Sequence, residues 1–118
     1  MIQLVPHMKV LLGVEPVDFR KAIDSLAGLC RQQFARDPFS GTVFVFRNRR
    51  GTALKLLVYD GQGYWLCLKR FSKGRLQWWP QGGEPRDTAA LPAEQLAVLI
   101  YNGLPPRAGL AEPWRRVS

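Results

Sequence analysis

The chain has 118 residues, 47% hydrophobic and 22% charged, which is room for one hydrophobic core and the balance of a globular rather than a disordered protein. Seventeen Lys and Arg against nine Asp and Glu give a net charge of +8, a field that favours polyanions such as nucleic acid or an acidic surface. Two distant cysteines, Cys30 and Cys67, and a lone His7 exclude the clustered ligands of a zinc site, so no metal or other cofactor is expected and a reducing cytoplasmic setting fits.

Val10-Leu11-Leu12 reads as a short strand ended by Gly13. Pro16-Val17-Asp18 then opens a helix with Asp18 as its cap. Phe19, Ala22, Ile23, Leu26, Leu29 and Cys30 recur at spacings of three and four, on one face. Gly28 costs this helix about 1 kcal/mol relative to alanine and is expected to mark a close backbone approach. The helix should stop before Asp37-Pro38, because a residue preceding proline avoids helical geometry. Asp37-Pro38-Phe39-Ser40-Gly41 is expected to form a structural corner.

From Gly41 the period changes. Thr42 to Phe46 is β-branched and aromatic, apolar on both faces, and predicts an interior strand. Strands are also predicted over Leu54 to Tyr59, Tyr64 to Lys69 and Leu76 to Trp79, the last stopped by Pro80. The turns between them are Asn48–Gly51, Asp60–Gly63 and Ser72–Gly74. Short connections demand antiparallel neighbours, so the four strands should form a meander. Gln81 to Ala90 reads as a loop. Pro92 opens a second helix with Glu94 near its positive end, Gly103 as its stop and Ala93, Leu96, Leu99 and Ile100 as its buried stripe. The expected fold is α+β: an antiparallel meander packed by an N-terminal helix and a short C-terminal helix. Residues 1–103 form one domain in this reading, and residues 104–118 an extended or flexible tail.

The excess charge is concentrated. Between Arg47 and Arg75 lie eight basic residues, Arg47, Arg49, Arg50, Lys55, Lys69, Arg70, Lys73 and Arg75, with Asp60 as the one acid. Successive turns of a meander alternate between the ends of the sheet. Asn48–Gly51 and Ser72–Gly74 should therefore share one end and Asp60–Gly63 the other. The eight side chains would form a cationic edge about 10–15 Å wide, rich in the arginine forks that suit phosphate and guanine. They are the candidate nucleic-acid-binding residues. Trp78 and Trp79 are candidates for stacking on bases, one of them facing outward, and single-stranded RNA is a weaker possible target.

Catalytic patterns are absent. There is no GxxxxGK[ST] loop, and Gly61 and Gly63 fall in a turn that opens no helix. Asp18, Asp24 and Asp60 are not expected to converge on a metal as a nuclease requires. Ser25 and Ser72 have no local base. The chain is expected not to be an enzyme. Met1 to Gly13 does not read as a signal peptide, and the longest apolar run, Leu96 to Tyr101, is far too short to span a membrane.

One resemblance is specific. Val17-Asp18-Phe19-Arg20-Lys21, Asp37-Pro38-Phe39-Ser40-Gly41, the run Val43 to Gly51, Leu54-Lys55-Leu56-Leu57, Tyr59 to Gly63, Leu68-Lys69-Arg70 and Lys73-Gly74-Arg75 resemble the TnpB-type accessory proteins of bacterial insertion sequences of the IS66 type. These are not the RNA-guided nucleases that share the label. The resemblance spans about residues 5 to 103. It departs from the family pattern after Trp79, where a Gly/Pro-containing loop and Leu91-Pro92 precede the helix, and at Leu104, where an acid is usual. It implies an accessory factor of transposition, encoded beside a separate DDE transposase and a second small accessory protein. Joined to the charge pattern, it leads to a non-catalytic factor that binds DNA at the element's termini and assists the transposase. The alternative is a protein-interaction module that docks the transposase without touching nucleic acid.

Overall fold

The computed structural model describes residues 7–81 and 87–102. The elements are β1 (Val10–Gly13), α1 (Ile23–Gln32), β2 (Val43–Arg47), β3 (Ala53–Tyr59), β4 (Tyr64–Arg70), β5 (Thr88–Leu91) and α2 (Ala93–Ile100). They form an α+β fold around one five-stranded sheet in the order β4-β3-β2-β1-β5. The expected tail, and Gly103 as a helix stop, lie outside the described residues.

β2, β3 and β4 are hairpin-linked and antiparallel, as their short turns require. The sheet as a whole is mixed, which corrects the purely antiparallel meander. β1 runs parallel to β2, with Val10 opposite Val43 and Leu12 opposite Val45. The segment carrying α1 is long enough to return the chain to the end where it started, the crossover that parallel neighbours need.

Strand alternation divides the core in two. Val10, Leu12, Val43, Val45, Leu54, Leu56 and Val58 pack on one face with Leu91, Trp79 and the Ala93, Leu96 and Leu99 stripe of α2. Leu11, Phe44, Phe46 and Leu57 pack on the other with Leu26, Ala27, Cys30 and Phe34. The sheet is thus a middle layer between two helices. Phe44, Phe46, Leu54 and Leu57 are fully buried, each contributing roughly 1.5–3 kcal/mol.

Further expectations are corrected. α1 begins at Ile23, and Asp18 does not cap it: its carboxylate accepts from the Arg20 backbone N–H and guanidinium. Lys21 N–H closes a separate turn on the Asp18 carbonyl. The Phe19 and Lys21 carbonyls, which a longer helix would use, accept from Lys55 Nζ at 2.7 and 3.0 Å. At the other end Ala35 turns left-handed at φ 54°. Gly28 meets no close neighbour; nothing lies within 4 Å of a Cβ built there. Asp37 does build the corner, its carboxylate accepting from Phe39 N–H.

Leu76 to Trp79 is not a strand, and part of the expected loop is: Thr88–Leu91 pairs antiparallel with β1. β4 and β5 are opposite edges of the sheet, so the chain between them must cross it. Leu76 and Trp78 do so packed against the α2-side cluster. The Leu76 N–H donates to the Gly51 carbonyl at 2.7 Å and the Gln77 N–H to the Asn102 side chain at 2.9 Å, so neither is left for a ladder.

Candidate nucleic-acid interface

The turn after β2 is built by one side chain. Asn48 Oδ1 accepts from the Thr52 and Ala53 N–H groups at 2.8 and 3.2 Å, and its Nδ2 donates to Thr52 Oγ1 at 2.8 Å. Gly51, at φ +70°, closes the bend, a conformation glycine adopts without the Cβ penalty. With the Asn48 amide turned inward, Arg49 and Arg50 stand exposed at the tip.

The turn after β4 lies beside it. Phe71 N–H donates to the Thr52 carbonyl at 3.0 Å, and Leu76 N–H to the Gly51 carbonyl. Asn102, left-handed at φ 61°, completes the support: Nδ2 donates to the Arg75 carbonyl at 3.0 Å. The two basic turns therefore share one end of the sheet. The Asp60 turn closes the β3–β4 hairpin at the other end, where its carboxylate accepts from Gln62 N–H, Gly63 N–H and Trp65 Nε1. These bonds hold Asp60 below the ordinary carboxylate range.

Between the turns lies a cleft of about 410 Å³ lined by Arg47, Arg49, Arg50 and Arg75, together with Gly51, Leu76, Gln77, Trp78, Trp79 and Gln81. Arg47 leaves the end of β2 at the base of the cleft. Its Nη2 reaches the Val14 carbonyl only at 3.5 Å, and its Nε is shut from solvent without an acceptor among the described residues. Burial pushes the Arg47 pKa down, Glu15 opposes that shift, and Arg49 adds to it. An anion in the cleft would relieve both the burial and the repulsion.

The eight candidates do not act as one group. Arg47, Arg49, Arg50 and Arg75 line the cleft. Lys69, Arg70 and Lys73 border a second depression of about 350 Å³ with Phe71, Ile100 and Tyr101, and Lys69 Nζ sits 5.1 Å from the Tyr101 ring centre. Lys55 is elsewhere. It projects on the α1 side of the sheet, bonded to the Phe19 and Lys21 carbonyls and 5.0 Å from the centre of the Phe19 ring. Among the described residues none of the eight forms an ion pair; the Arg20–Asp18 pair involves neither turn.

The two tryptophans divide as well. Trp79 is buried, and its Nε1 donates to the Gly13 carbonyl at 2.9 Å, so it cannot offer a face to a base. Trp78 is half-buried on the cleft wall. Sequence reasoning did not find Gln77, Gln81, Asn102, Glu15 or Asp18 here. Asn102 carried one local signal, an asparagine at a helix end, where left-handed residues are favoured. Glu15 acts on Arg47, and Asp18 borders a neighbouring depression with Arg49 and Arg50, so the acids nearest the basic end come from outside the basic segment.

Among the described residues no helix is long and apolar enough to cross a membrane, and no group of His, Cys, Asp and Glu is placed to hold a metal ion. The profile of the TnpB_IS66 family, described as IS66 Orf2 like protein, matches residues 8–108. Two proteins of Sinorhizobium fredii, each named as uncharacterized, are similar to the chain. y4jC is 32% identical over 68 residues, covering 58% of this chain and 58% of y4jC. y4hO is 36% identical over 72 residues, covering 61% of this chain and 63% of y4hO. The matched segment thus spans about three fifths of the length of these curated relatives. No solved structure gives a significant match.

Proposed function

Because the chain belongs to the IS66 Orf2-like family, which implies an accessory role in transposition, we propose that it is a non-catalytic, cytoplasmic factor that grips DNA at the element's ends. In this reading the arginine cleft is the contact surface, and the DDE transposase and the second accessory protein are its partners. The observation that carries it is the convergence of Arg47, Arg49, Arg50 and Arg75 on one cleft with no ion-paired carboxylate among the described residues. Guanidinium forks spaced across two adjoining turns suit successive phosphates of one strand. The half-buried Trp78 on the wall adds a ring edge for sugar or base.

The membership of the cleft narrows the earlier set. Lys55 is committed to two backbone carbonyls and Trp79 to Gly13, so the reading keeps the four arginines as primary contacts. Lys69, Arg70 and Lys73 become an auxiliary basic flank. A gel shift on duplexes carrying the element's terminal repeats, and on scrambled duplexes, tests the proposal. Binding that is weakened by charge reversal at Arg49 and Arg50 supports it. Absence of binding to either duplex at low salt, with transposase co-purification lost in the same variant, supports the protein-docking alternative instead.

A further inference from the structure

The two edges of the sheet are unlike. β5 has four residues and runs directly into Pro92, a short edge of the kind that resists added strands. β4 has seven, contains no proline, and has no strand on its outer side among the described residues. Up to Lys69 and Arg70 at its end, its side chains are apolar or aromatic where an isolated edge is normally charged: Trp65 is 43% and Leu68 55% exposed.

Hydrogen-bond parity identifies the free backbone groups. Asp60 N–H donates to the Gly63 carbonyl and Phe71 N–H to the Thr52 carbonyl, on the same register as the β3–β4 pairs. Odd-numbered residues of β4 therefore bond to β3. The N–H and C=O groups of Tyr64, Leu66, Leu68 and Arg70 point away from the sheet.

We propose that this edge pairs antiparallel with β4 of a second copy of the chain, about a two-fold axis at Cys67. The midpoint of Tyr64–Arg70 is Cys67, so this register pairs all seven residues. Leu66 then exchanges backbone bonds with the second copy's Leu68, and Tyr64 with its Arg70. On the α2 side Trp65 stands opposite Lys69, whose ammonium lies 5.1 Å from the Tyr101 ring centre and gains the second copy's indole as a further aromatic neighbour. Moving the axis to Lys69 would instead set like charges face to face and leave most of the edge unpaired. Self-complementarity of this kind is what an isologous two-fold contact requires. Cys67 meets its own counterpart at a non-hydrogen-bonded position, where Cα atoms lie about 4.5 Å apart, a separation a disulfide can bridge.

Sedimentation of the full chain is expected to give a dimer. Copper phenanthroline, accepting one electron from each of two thiols as each loses its proton, should then yield a covalent Cys67–Cys67 dimer on a non-reducing gel. The product should vanish in Cys67→Ser and persist in Cys30→Ser, since Cys30 is fully buried. The register is read by mixing Trp65→Cys and Lys69→Cys chains, each also carrying Cys67→Ser; the two should cross-link to each other. Leu68→Lys, at an exposed position, should keep the fold and raise the dimer dissociation constant about tenfold or more. A monomer at all concentrations, or a covalent dimer that survives Cys67→Ser, overturns the proposal. Neither result bears on the arginine cleft.

Discussion

The Leu76 N–H donates to the Gly51 carbonyl at 2.7 Å, and this bond fastens the turn after β4 to the turn after β2. Gly51 can offer its carbonyl in that direction because its φ is +70°, and Leu76 follows directly on Arg75. The spacing between the Arg49-Arg50 tip and Arg75 is thus set by backbone, not by the flexible arginine stems.

Gly51→Ala is expected to act on both links. A left-handed alanine costs about 1–2 kcal/mol, and the added Cβ would lie 3.9 Å from the Leu76 nitrogen, an ordinary contact that adds no clash. Urea unfolding should show a loss of that size. The same variant should bind DNA more weakly as the two turns separate.

Lys55→Met separates scaffold from interface. The ammonium is committed to the Phe19 and Lys21 carbonyls, and losing such charge-assisted bonds at a half-buried site should lower the unfolding free energy by about 1–2 kcal/mol. DNA affinity measured below the unfolding transition should stay within about twofold of wild type. A large affinity loss with unchanged stability would place Lys55 in the interface after all.

Trp78 and Trp79 should respond oppositely. Trp79→Phe removes the indole N–H that donates to the Gly13 carbonyl, a loss of about 0.5–1.5 kcal/mol in stability. Trp78→Ala should instead remove most of the tryptophan quenching seen on titration with oligonucleotides. Quenching that survives Trp78→Ala would take the ligand off this wall of the cleft.

Burial pushes the Cys30 thiol up from the ordinary 9.0 to about 12. The folded state therefore holds its proton more tightly than the unfolded chain does. Its contribution to stability is complete below pH 9 and is lost as pH rises toward 12. Between those limits the wild type should lose stability faster than Cys30→Ala. In a Cys67→Ser background the remaining thiol should ignore a thiol reagent at neutral pH until the protein is unfolded.

What the sequence discloses is mostly local. The β2–β3–β4 hairpins follow from three short turns, and the α2 stripe from apolar spacing. The position of β1 is a matter of long-range pairing, and nothing near Val10 says that it lies between β2 and β5. Gln81 to Ala90 reads as loop because it holds two glycines, a proline and charges; the pairing of Thr88–Leu91 with β1 overrides that composition at its end. Leu76 to Trp79 has strand-like composition, yet the Leu76 N–H is claimed by Gly51 and the Gln77 N–H by Asn102, 25 residues away along the chain. At the site, the shared end of the two basic turns follows from meander geometry. Strand alternation already separated Lys55 from its neighbours Leu54 and Leu56, but the carbonyls that hold it come from a turn expected to be helix.

The salt dependence of DNA affinity, measured for the wild type and for an Arg49→Gln/Arg75→Gln variant, tests the cleft most directly. Four phosphate contacts predict that raising salt from 50 to 200 mM weakens wild-type binding about 150-fold. The double variant should lose about two units of the log–log slope while its circular dichroism is unchanged. Equal slopes for the two proteins, or no wild-type binding at the lowest salt, would contradict the account.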